Sequence, residues 1–217
     1  RGRHNTIKNS QIASTFGDAI EMSGSYNAVV NCDIHDFNYE NTYSYGVNIS
    51  GDQQLVKNNS IYRTGRSAIG GEFEASEISY NNIYDTMKIS KDGGALYLNR
   101  EPSVLTMTGG MISGNTATGN GGAVYIYRTG SVCNLSGGII EENTAGGSGG
   151  GIYINSSNSG KLNLSGAPVV ANNTVSGKAN NVYLPSGRTL TIAGALTDGA
   201  SIGITTASTS YPVAFSG

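Results

Sequence analysis

The sequence predicts an all-β chain: a single-stranded, right-handed parallel β-helix, a solenoid of about eight coils. Three observations predict it. An apolar pair five positions apart returns about every 22 to 30 residues. The 217 residues include 32 glycines, no tryptophan and only 13% charged residues, a composition poor for helices. Between the glycines lie β-branched residues, Ser and Asn, the composition of short strands broken by turns.

The coils follow in order. Ile7 to Ile12 opens the series, followed by Val29 to Ile34, Val56 to Ile61, Ile78 to Ile83, Met107 to Ile112, Leu135 to Ile140 and Leu164 to Val169. An eighth copy, Ile192 to Leu196, is one residue shorter. A second apolar column runs through Ile20, Val47, Ile69, Leu96, Val124, Ile152 and Val182. Two residues later come Met22, Ile49, Gly71, Leu98, Ile126, Ile154 and Leu184. That period of two marks the inward positions of one strand per coil. Two or three such strands per coil, joined by bends, close a parallel β-helix, and parallel crossovers are right-handed. At one bend Asn59 and Asn81 stack with Ser10, Cys32, Gly110 and Gly138, as residues tolerant of left-handed backbone. Asn115, Asn143 and Asn173 form a second polar ladder. The glycosylation-type triplets at Asn48, Asn134 and Asn163 are read first as turn and ladder residues.

The frame makes residues 1–217 one continuous unit with two chemistries. Residues 1–102 carry 21 of the 28 charged side chains, and 103–217 are Gly, Ser, Thr, Asn and aliphatics. A net charge of −2 provides no basic field for nucleic acid. No apolar run approaches the ~18 residues of a membrane span. The pattern is already running at Ile7 and stops mid-pattern at Gly217, so the chain reads as part of a longer protein. Flanking domains or capping partners are expected at both open ends. Cys32 and Cys133 fall four coil steps apart, roughly 19 Å at strand spacing, too far for a disulfide.

Two stretches carry family resemblances. Ile34-His35-Asp36, Ile83-Tyr84-Asp85 and Asp92-Gly93-Gly94-Ala95-Leu96-Tyr97 resemble recurrent phrases of right-handed β-helix polysaccharide lyases and glycoside hydrolases. From Leu105 onward, Gly109-Gly110-Met111-Ile112-Ser113-Gly114-Asn115-Thr116-Ala117 and Gly149-Gly150-Gly151-Ile152-Tyr153 are similar to bacterial surface-protein and adhesin repeats, as is Asn181-Val182-Tyr183-Leu184-Pro185-Ser186-Gly187-Arg188. The resemblances imply an extracellular or cell-surface bacterial protein that meets glycans.

Three constellations could carry chemistry. Tyr97, Tyr125, Tyr153 and Tyr183 occupy one outward column, beside the small residues Ala19, Gly46, Ala68, Ala95, Ala123 and Gly151. At ~4.8 Å per coil the column fits either an open polysaccharide-binding surface or rings that pack together and shield the strands. Asp36, Arg63 and Asp85 align on successive coils as an ion-pair ladder, with His35, Tyr62 and Tyr84 stacked just before them. Arg66, Glu72, Glu74, Lys88, Lys91 and Asp92 sit in loops bordering the tyrosine column. Asp92 with Glu72 or Glu74 would suit a hydrolase, which needs two carboxylates. Lys91 or Arg66 would suit a lyase, which needs a base and a cation for the developing anion. Asp92 also fits a turn residue at the Gly93-Gly94 bend. Phosphate-loop, serine-nucleophile and Cys/His metal motifs are absent from the sequence. No cofactor is expected, and calcium has no Asp-repeat signature behind it.

The sequence therefore points to a surface β-helix segment that binds or displays carbohydrate. The alternative is a lyase or hydrolase with its site on the loops near Asp92.

Overall fold

The computed structural model describes residues 2–40, 43–89, 93–100, 103–157 and 159–207. Three parallel sheets run the length of the chain, and each coil contributes one strand to each in turn. The first sheet has nine strands, from Gly2–Arg3 to Ile204–Thr206. The second and third have eight each, from Thr6–Lys8 to Thr191–Leu196 and from Gln11–Thr15 to Ser201–Ile202. No helix forms among the described residues, so none is available to cross a membrane.

The predicted columns hold as strand register. Ile69 pairs with Val47 and Leu96, and Leu96 with Val124. On the other faces Ile78 pairs with Val56, and Ile83 with both Ile61 and Ile112. These side chains are buried inside the coil and form one continuous core with Phe37 and Phe73. The small-residue column is needed for this packing. A Cβ on Gly46 would stand 2.3 Å from the Phe37 ring and 2.6 Å from the Ala68 carbonyl oxygen.

The last coils depart from the simple repeat. Val170, and not Val169, pairs with Ile140 and is fully buried. Leu196 stays in the second sheet opposite Gly166, across an irregularity in register, and Ile202 takes the position beside Val170. One inserted residue between Leu164 and Val170, and five between Ile192 and Ile202, move the third-sheet strand along. Such a shift exchanges inward and outward faces, so a five-residue template cannot detect it.

The bends are single left-handed residues repeated coil after coil. His4, Tyr26, Gln53 and Ala75 form one such row, with φ from 51° to 58°. Asn9, Asn31, Asn58 and Tyr80 form a second, with φ from 52° to 58°. Ser14, Asp36, Arg63, Asp85, Gly114, Glu142 and Asn172 form a third. Asn59 and Asn81 are therefore not the left-handed residues. Each follows one, and its buried amide hydrogen-bonds across coils. Asn59 donates from N and Nδ2 to Asn81 Oδ1, at 3.0 and 2.9 Å.

Beyond residue 103 the amide ladder moves to the next corner. Thr86 N and Oγ1 donate to Asn115 Oδ1, Asn115 N and Nδ2 to Asn143 Oδ1, and Asn143 N and Nδ2 to Asn173 Oδ1. Asn181 Oδ1 accepts from Asn173 in the same way. All three central amides are fully buried. A small fourth sheet follows this corner, built from Thr116–Ala117, Thr144–Ala145, Thr174–Val175 and Lys178–Ala179. In the earlier coils connections of unequal length lead into the first sheet, two of them, 16–19 and 65–68, only four residues long.

Candidate functional site

The tyrosine column exists in the expected register: Tyr97, Tyr125, Tyr153 and Tyr183 pair on adjacent strands of the first sheet. It is not an open surface. Tyr97, Tyr125 and Tyr153 are only 2%, 6% and 8% exposed, and Tyr183 is half-buried. Tyr97 stacks on Tyr125 at 5.3 Å, and Tyr153 on Tyr183 at 5.7 Å, so ring faces are spent on each other. Tyr127 closes the outer side, edge-on to Tyr125 at 5.3 Å. Sugars stack on free ring faces, and the buried Tyr97, Tyr125 and Tyr153 offer none.

Two further residues complete the cluster. Gly70 interrupts the column, and Tyr45, from the preceding loop, lies over it. A Cβ on Gly70 would meet the Tyr45 ring at 2.3 Å. Burial raises the Tyr45 phenol above its ordinary value against the opposing pull of Arg66, and its hydroxyl oxygen accepts from Asn99 Nδ2 at 2.7 Å. Neither Tyr45 nor Tyr127 falls on the repeat template. The missing side chain at Gly70 was the available signal for the first.

The loop set divides. Asp92 and Lys91 lie outside the described residues. Arg66 is not a loop-surface cation: it is 3% exposed, with its guanidinium 5.0 Å from the Tyr43 ring, 5.1 Å from Tyr45 and 5.8 Å from Tyr97. Glu72 sits half-exposed on the first sheet beside Ser50, and Glu74 is exposed at the strand end beside Asp52. Lys88 pairs with Asp85.

Arg63 is consequently not shared between two carboxylates. It grips Asp36 through two bonds, Nε to Oδ1 at 2.7 Å and an NH2 nitrogen to Oδ2 at 2.6 Å. The Arg63 guanidinium, then His35, hold the Asp36 carboxyl well below the usual carboxylate range. Asp36 in return raises the Arg63 pKa. His35, Tyr62 and Tyr84 stack as expected, at 5.0 and 4.8 Å.

What remains open is a shelf on the first sheet ahead of the tyrosines. Outward positions on neighbouring strands there are Glu21 beside Asn48, and Ser23 beside Ser50 beside Glu72. Asp18 overhangs it, its carboxylate accepting from Tyr45 N at 2.5 Å and Asn48 Nδ2 at 2.7 Å. Two exposed aromatic rings lie on the loops that meet here, Phe16 two residues before Asp18 and Tyr43 two before Tyr45, with Arg66 over one face of Tyr43. Phe16 is 75% exposed and Tyr43 89% exposed. Carboxylates and an amide fixed beside open ring faces can grip sugar hydroxyls while the rings cover C–H faces.

Among the described residues no three His, Cys, Asp or Glu side chains gather as a closed metal centre would need. Comparison with known families matches residues 1–137 to one described as "Right handed beta helix region". No curated protein and no solved structure matches the chain.

Proposed function

We propose, for a chain that belongs to the right-handed β-helix family, that the shelf of Asp18, Glu21, Asn48 and Glu72 binds an extended carbohydrate without turning it over. The setting is extracellular, as a segment of a surface protein. One observation carries the reading: Phe16 and Tyr43 expose their rings on the two loops joined by the Tyr45 N–H to Asp18 bond, and Asp18 in turn holds Asn48 on its strand. A bare exposed aromatic costs solubility, and a pair beside fixed polar groups is the composition of a glycan platform. The tyrosine column supports the shelf from behind as packing.

Affinity electrophoresis in gels containing neutral β-glucan, xylan or polygalacturonate tests this. At least one polysaccharide should retard the protein. Phe16→Ala and Asn48→Ala should each weaken retardation about tenfold, equivalent to about 1.4 kcal/mol. Tyr125→Phe should leave it unchanged. Retardation by none of them, or equal loss in Tyr125→Phe, would sink the assignment. Release of reducing ends or absorbance at 232 nm would replace it with the hydrolase or lyase alternative.

A further inference from the structure

On the third sheet, away from the shelf, the structure brings together a His, a carboxylate and an amide. Asp33 and His35 are two apart on one strand, so both side chains face outward on the same side. Gln11 lies directly opposite Asp33 on the neighbouring strand. His35 Nδ1 is 2.7 Å from Asp36 Oδ2 and 3.2 Å from an Arg63 guanidinium nitrogen, and the shorter contact, to a carboxylate, favours a ring proton on Nδ1 as donor. Nε2 is left with its lone pair, facing Gln11 Nε2 at 3.0 Å and lying 3.9 Å from Asp33 Oδ2, with the His35 ring largely buried. Asp33 Oδ1 is shielded from solvent and has no hydrogen-bond partner.

We propose that Asp33 and His35, with the side-chain oxygen of Gln11, form an open site for a divalent transition-metal cation such as Zn²⁺. A neutral imidazole whose other nitrogen is bound to a carboxylate is the arrangement that raises ligand basicity and fixes ring orientation. Asp36 is the positioning residue. Its own charge is met by Arg63, which keeps Arg63 from opposing the cation fully. Stacking on Tyr62 at 5.0 Å holds the ring plane. Metal ligands at ~2.0–2.2 Å would need only a small closure of the 3.9 Å gap between Nε2 and the Asp33 carboxylate. Gln11 is exposed, and turning its amide by half a revolution presents oxygen instead of NH₂. The remaining coordination positions go to water.

The chain has two histidines, so the readout is unambiguous. His4, the other one, stacks on Tyr26 at 4.9 Å on a different corner. Zn²⁺ is titrated into ¹⁵N-labelled protein and followed by long-range imidazole ¹H–¹⁵N correlation, with affinity from calorimetry. The Nε2 signal of His35 should shift with one-to-one stoichiometry, and His4→Gln should not alter the affinity. Asp33→Asn should weaken binding at least tenfold. Asp36→Asn should weaken it by about 10-fold to 100-fold. Circular dichroism of each metal-free variant checks the fold, and Asp33→Asn keeps the test alive if the Asp36 variant unfolds. A shift at His4 alone, no shift at either ring, or undiminished affinity in Asp33→Asn overturns the site.

Discussion

Replacing Asn143 with Ala should be among the most damaging single changes in the chain. Its side chain makes five hydrogen-bond contacts in a fully buried position, the two Nδ2 hydrogens being shared among three acceptors. Nδ2 donates to the carbonyls of Ile112 and Glu141 at 2.8 Å each and to Asn173 Oδ1 at 2.9 Å. Oδ1 accepts from Asn115 N at 3.0 Å and Asn115 Nδ2 at 2.9 Å. Alanine replaces none of these, and water cannot reach the orphaned groups. A net bond contributes about 1 kcal/mol and a stranded buried partner costs about 1–3, so the expected loss is about 3–5 kcal/mol. For a chain of this length that lowers the melting midpoint by roughly 6–20 °C. Urea denaturation and calorimetry measure the loss, and amide hydrogen exchange localises it, since Asn115 N–H should lose protection first. Asn163→Ala is the control. That side chain is half-buried and donates once, to Asn134 Oδ1 at 2.9 Å, so its loss should stay below about 1 kcal/mol. An Asn143→Ala loss under about 1 kcal/mol, or equal losses in both variants, refutes the reasoning.

Two further outcomes follow from packing and burial. Gly70→Ala should cost about 1–3 kcal/mol, because the new methyl displaces the Tyr45 ring, and the cost should vanish in a Tyr45→Ala background. A double-mutant cycle by denaturation decides it, and persistence of the cost in that background counts against Tyr45 as the obstacle. Burial pushes the Cys133 thiol up to about 12, so it should resist thiol reagents until the protein unfolds. The unfolded chain releases this proton first, near pH 8.5, so stability present below that pH should fall between there and about 12. Cys133→Ala should flatten that decline. A wild-type decline no steeper than the variant's would remove the link.

The period made much of the fold legible before any coordinates. Columns such as Ile61–Ile83–Ile112 and Val47–Ile69–Leu96 are register partners because each coil must bury the same face as its neighbours. The free thiols were legible for the same reason, since Cys32 and Cys133 are both unpaired and buried. The site was less legible. Phe16 and Tyr43 lie in loops, off the repeat, where no column reports whether a ring is covered. Arg66 looked like a surface cation, and Tyr43 and Tyr45 of one loop and Tyr97 of a strand surround it.

The sequence by itself determined distance along the axis. Backbone hydrogen bonding stacks coils at a fixed spacing, so position in the repeat is position in space. Only the tertiary structure decided what lies sideways. It buried the tyrosine column under Tyr127 and Tyr45, gave Arg63 to Asp36 and Lys88 to Asp85, and left Phe16 exposed and Tyr43 exposed apart from its Arg66 contact. Lateral cover comes from loops of unequal length and from side chains that reach across coils, and neither obeys the period.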